Sequence, residues 1–245
     1  MLSHSSALLN PNIQDPLAYF LVAHLCLFGL VVTTSTWLNR WWTFGKGRFV
    51  ILLLTAVGVL AIVLSSSSAI WFELGQLGRL MGALTLGLLI GRRIEYARYF
   101  WPLILVATVT DLGSVMLSGG FSHGLAEEVM SAPTLVHPLL VYVPTPFGPP
   151  MPLIGLADVV FMSLCLNATQ HLHLSRIRVV LGLGLGMVIG LTVLSISLQP
   201  VPMLPFLGVG VGICLGREIK PKSRELFQAI VLLTILGVVW FIAKG

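Results

Sequence analysis

Charge is what this sequence has least of. Lysine, arginine, aspartate and glutamate together make up 9% of its 245 residues, against roughly a quarter in a soluble domain. A chain so poor in charge cannot cover a water-facing surface with polar groups, which excludes an ordinary cytosolic enzyme and a disordered protein. Cysteine is scarce too. Cys26, Cys165 and Cys214 lie in apolar runs with no short metal-type spacing, so a disulfide scaffold is excluded and packing is the expected role. Acidic residues number 9 against 14 basic ones, a formal charge of +5. Nucleic acid is not needed to explain that excess, because basic loops on one membrane face account for it. What is abundant is apolar side chain, at 56%. The chain reads as an integral membrane protein whose solvent is lipid.

A helix needs about 20 apolar residues to cross a bilayer. Eight candidate spans follow, at roughly 17–38, 49–72, 75–91, 99–118, 150–168, 177–199, 201–216 and 226–243. The expected fold class is therefore all-α: a polytopic transmembrane helical bundle of about eight spans, in one membrane domain covering 1–245. Within it, 1–98 holds the N-terminal spans, 99–216 a core with the loop 119–149, and 217–245 the C-terminal span. Met1 to Pro16 has no Lys or Arg, unlike the start of a signal peptide, so the first span is expected to be retained.

The basic residues fall on alternate loops. Arg40, Lys46 and Arg48 follow the first span, and Arg92, Arg93 and Arg98 the third. Arg176 and Arg178 follow the fifth, and Arg217, Lys220, Lys222 and Arg224 the seventh. The opposite loops hold Glu73, Glu127 and Glu128, with only Lys244 on that side at the end. The positive-inside rule puts the basic loops in the cytoplasm and both termini on the other side. The long connection 119–149 is then non-cytoplasmic. Its stretch Leu135 to Val143 is too short to cross and is expected to lie at the interface or re-enter. Five prolines between Pro144 and Pro152 end any helix there.

Two carboxylates lie inside candidate spans, Asp111 in the fourth and Asp158 in the fifth. An ionisable group in lipid is costly, by roughly 2.5–3.5 kcal/mol on insertion scales, and marks a functional site by default. Counted along antiparallel helices, both fall roughly 10–12 Å below the same membrane edge. Two carboxylates face to face would share one proton. One can then activate water as a general base while the other, protonated, polarises a peptide carbonyl. Paired intramembrane carboxylates also bind ions or relay protons in transporters, so depth alone leaves both readings open.

The residues around the aspartates read Val109-Thr110-Asp111-Leu112, then Ile154-Gly155-Leu156-Ala157-Asp158, then Gln199-Pro200-Val201-Pro202-Met203-Leu204-Pro205. This order resembles the presenilin and signal peptide peptidase family of intramembrane aspartyl proteases. That family carries Tyr-Asp in one helix, Gly-x-Gly-Asp in the next, and Pro-Ala-Leu near a later one. The resemblance covers about residues 100–216. Thr110 stands for the tyrosine, Ala157 for the second glycine, and Met203 for the alanine if Pro202 is aligned. The family usually has nine spans and ends with the Pro-Ala-Leu helix, whereas this chain has one further candidate span after it.

The resemblance implies a fold with presenilin-like catalytic helices and an endopeptidase that cleaves transmembrane segments. Asp111 and Asp158 would be catalytic. Gly155, Ala157, Pro202, Met203 and Leu204 would line the substrate site. No metal or organic cofactor is implied. The prolines give a physical reason for the third element: Pro200, Pro202 and Pro205 interrupt a regular helix start and leave backbone groups to hold an unwound substrate strand. With 119–149 outside, the orientation is that of the peptidase branch, whose substrates would be spans with a cytoplasmic N-terminus. A prepilin-type peptidase fits less well, since no cysteine-pair zinc loop is present. A transporter, channel or inactive scaffold on the same fold is the rival of another class.

Other features have plain explanations. Gly182, Gly186 and Gly190, and Gly208, Gly212 and Gly216, repeat every four residues as helix-packing faces do. His24 is expected to pack or to face a neighbour, and Arg79 to snorkel. His171 and His173 flank the fifth span at the interface. Trp37, Trp41 and Trp42 suit an aromatic belt.

Overall fold

The computed structural model describes residues 16–42, 47, 50, 53, 57, 69–116, 139–145, 148–197, 201–220, 222–224, 227, 230, 231 and 234. Six α-helices stand among them: α1 (Pro16–Trp42), α2 (Ala69–Gly91), α3 (Phe100–Met116), α4 (Leu156–His171), α5 (Arg176–Ser197) and α6 (Leu204–Leu215). Two strands, β1 (Leu140–Thr145) and β2 (Gly148–Gly155), precede α4. Short 3-10 turns lie at Ala97–Tyr99 and Gly216–Ile219. The described residues are mostly helical, which fits the all-α expectation, with one two-stranded hairpin beside the helices.

The eight-span expectation also changes. Among the described residues, two helices are long and apolar enough to cross a membrane, Tyr19–Trp42 and Arg176–Ser197. Helices α3, α4 and α6 have 17, 16 and 12 residues. At 1.5 Å per residue they reach about 25, 24 and 18 Å, short of a hydrocarbon core of ~30 Å. The candidate spans 49–72 and 226–243 lie largely outside the described residues. The candidate span 150–168 begins instead as strand, and its helix starts only at Leu156.

The chain divides into two compact units, 1–86 with 129–160, and 87–128 with 161–245. In the first, β1 and β2 pair antiparallel, with Val141 opposite Ile154 and Tyr142 opposite Pro152. The register shifts after Val141 and again after Val143. Proline cannot donate to a ladder, so a strand holding Pro149, Pro150 and Pro152 makes an irregular one. Val141, Tyr142, Leu153 and Ile154 are buried. Arg79 is buried as well, at 1% exposure, and its Nε donates to the Gly75 carbonyl at 3.2 Å. It does not snorkel.

In the second unit α6 packs between α5 and α3. Glycines allow the approach to α5. A Cβ on Gly186 would lie 2.3 Å from the Phe206 carbonyl oxygen, and one on Gly182 would lie 2.7 Å from that of Gly210. On the other side, Gly208 faces Ile104 and Thr108 of α3, and Gly212 faces Trp101. Leu207, Val211 and Leu215 fill the buried face of α6. The outer face of α5 exposes Ile177, Leu181, Val188 and Ile196, an apolar surface suited to lipid.

Helix α4 closes with a Schellman turn. The Leu174 N–H donates to the Thr169 carbonyl at 3.0 Å, and His173 has φ 55. That left-handed position favours glycine. His173→Gly is expected to raise stability by about 0.5–1 kcal/mol, measured by thermal unfolding. The exposed pair Arg178–Glu218 joins the start of α5 to the turn after α6. Arg178→Ala should change stability by under about 1 kcal/mol in the same assay.

Candidate functional site

Asp111 lies in the last two turns of α3, partly buried. Its Oδ2 accepts the backbone N–H of Leu204 at 3.1 Å, across 93 residues of sequence. The reason lies in how α6 begins. Met203 is its N-cap residue, at φ −89 and ψ −33, and offers no side-chain cap. Pro205 has no N–H. The N–H groups of Phe206 and Leu207 both go to the Met203 carbonyl at 3.1 Å. The Leu204 N–H is thus the first donor of the helix, and a carboxylate from another helix takes it. Placed there, the charge also meets the positive end of the α6 dipole.

The glycine packing of α5 against α6 sets this meeting. Gly190 admits the Met203 sulfur, where a Cβ would fall 2.3 Å away. Pro202 is buried, and Met203 and Leu204 are partly exposed. Asp111, Pro202, Met203 and Leu204 therefore share one unit and one corner of it. Ser114 Oγ donates to the Asp111 main-chain carbonyl at 3.1 Å.

Asp158 is in the other unit, in the first turn of α4. The sequence placed it well inside a span; the structure places it three residues after the end of β2. A carboxylate at the third helical position suits the dipole and can turn back toward the residue before the helix. It does so here. A Cβ on Gly155 would come 3.1 Å from Asp158 Oδ2 and 3.9 Å from its Cγ. Gly155 keeps room for this carboxylate, and no left-handed φ is involved. Ala157 is exposed beside it.

Two polar side chains in apolar helices reach the hairpin. His24 of α1 and Gln76 of α2 are buried, at 1% and 8% exposure, and each hydrogen-bonds to one strand. Sequence reasoning named His24 without its partner and passed over Gln76. The available signal was a polar residue where the pattern asks for an apolar one. Asn167 is also buried, and its Nδ2 donates to the Ser163 carbonyl one turn back. Among the described residues no three His, Cys, Asp or Glu side chains gather as a metal site. No family model matches this chain, and no curated protein does either.

Proposed function

We propose that this protein is a multi-pass intramembrane aspartyl endopeptidase that cleaves transmembrane segments. Asp111 and Asp158 would be its two reacting carboxylates. The observation that carries the reading is the bond from the Leu204 N–H to Asp111 Oδ2. It ties the first aspartate to the proline-rich third element of the motif, which has no reason of sequence proximity to be there. One oxygen of Asp111 is engaged by that amide, which orients the carboxylate. The other oxygen serves the chemistry.

The reaction needs water at the peptide bond. One carboxylate takes a proton from water, which attacks the carbonyl carbon. The protonated partner hydrogen-bonds the carbonyl oxygen and then protonates the departing amine. Asp111, inside α3, bonds the first residue of α6 beside the irregular Val201–Met203 segment, and Asp158 stands in the first turn of α4 just after β2. Such backbone is tolerated at membrane depth where it lines a polar cavity. A competing structural role has its own support, since Asp111 caps α6 and Asp158 suits the start of α4.

The purified chain in vesicles, given a single-span reporter with its N-terminus on the cytoplasmic face, should release two fragments cut within the span. Fragments cut outside the span, or none with several reporters, would count against the proposal. Gly155→Ala supplies a finer check. The Asp158 carboxylate would have to give by a few tenths of an ångström. Cleavage should slow by about tenfold, while stability changes by under about 1 kcal/mol.

A further inference from the structure

We infer that His24 and Gln76 are positioning residues that fasten the hairpin leading into Asp158. Among the described residues the two strands form a sheet of their own, so each has an edge whose backbone groups need partners once water is excluded. One buried side chain serves each strand. The Tyr142 N–H of β1 donates to Gln76 Oε1 at 3.2 Å. The Leu153 carbonyl of β2 lies 2.8 Å from His24 Nε2. His24 Nδ1 lies 2.8 Å from the Phe20 carbonyl one turn back on α1, and the Phe20 ring packs at 4.1 Å. A ring protonated at Nε2 holds the strand, and a ring with both protons serves both carbonyls.

Packing alone does not explain these residues. Among the described residues, Gln76 Nε2 is buried without a hydrogen-bond partner. An apolar side chain of the same shape would avoid that penalty. The amide is explained by what its oxygen does for β1. The path onward is short. Leu153 is two residues before Gly155, and the Leu156 N–H donates to the Leu139 carbonyl at 3.0 Å. Asp158 follows in the first turn of α4, with its Oδ2 over Gly155. Holding both strands therefore fixes where Asp158 stands. Its effect on catalysis rests on the proteolytic reading above; the fastening itself does not.

The test uses the full chain in vesicles, with amide hydrogen exchange and cleavage kinetics measured side by side. His24→Phe and Gln76→Met keep shape and remove the polar atoms. His24→Gln and Gln76→Glu keep a donor or an acceptor. The first pair should speed exchange of hairpin amides about tenfold, while α5 amides stay as they are. Turnover kcat should fall about tenfold with KM within about twofold. The second pair should restore both. If the first pair fails to fold, His24→Asn, too short to reach Leu153, should give the same pattern. Unchanged hairpin exchange would overturn the inference, as would faster exchange with unchanged kcat. Faster exchange in a chain that never cleaves would support the fastening and overturn the proteolytic reading.

Discussion

Asp111→Asn is expected to leave stability within about 1 kcal/mol while slowing cleavage by a hundredfold or more, the usual contribution of a general acid or base being roughly 10²–10⁴. The amide oxygen of asparagine can still accept the Leu204 N–H, so α6 keeps its cap. What is lost is the proton chemistry. Asp111→Leu separates the two roles. It strands the Leu204 N–H without an acceptor, which should cost about 1–3 kcal/mol of stability. Asp158→Asn should lose about 0.3–1 kcal/mol from the charge at the α4 N-terminus and abolish cleavage to the same degree. A purely structural pair of aspartates would give the opposite ranking. Both asparagine variants would then function normally, and only Asp111→Leu would be impaired. Thermal unfolding and cleavage rates on the same preparations decide between the rankings.

Gly186→Ala and Gly210→Ala are expected to destabilise the second unit by about 3 kcal/mol each, at the upper end of overpacking effects. Added Cβ atoms would meet backbone rather than movable side chains: the Phe206 carbonyl oxygen at 2.3 Å, and the Gly182 carbonyl oxygen at 2.1 Å. Neither carbonyl can swing away without moving a helix, so α5 and α6 must part. Since the first residue of α6 supplies the Asp111 partner, activity should fall with stability. Gly212→Ala is the control on the same helix. Its Cβ would meet the Trp101 ring at 3.4 Å, an ordinary contact, and the change should stay under about 1 kcal/mol.

Long uninterrupted apolar runs were legible in the sequence. Helix α1 covers Pro16–Trp42 where 17–38 was expected, and α5 covers Arg176–Ser197 where 177–199 was expected. The glycine spacing carried its packing meaning at Gly182, Gly186, Gly190, Gly208 and Gly212, but not at Gly216, which ends α6 at φ 47 with nothing within 4 Å of an added Cβ. The hairpin was not legible. Residues 140–155 are apolar and proline-rich, and an apolar run of that length does not tell strand from helix by composition. Counting the run from 150 as helix put Asp158 in mid-span, when it belongs to a first turn. The motif led to Leu204 through its side-chain type, yet the contact observed is its backbone N–H, which has no sequence signature. Partners such as Leu153 for His24, 129 residues apart, are set by tertiary packing and leave no local trace.

The proposed function has two carboxylates together hydrolyse a peptide bond within the membrane. Its most direct test places the unsubstituted chain, Asp111→Asn and Asp158→Asn in identical vesicles with one single-span reporter, and identifies the new termini by mass. The unsubstituted chain should cut inside the span, and neither variant should cut above background. Equal cutting by all three, or a folded, reconstituted chain that cuts no span while both variants retain whatever activity it has, would contradict it.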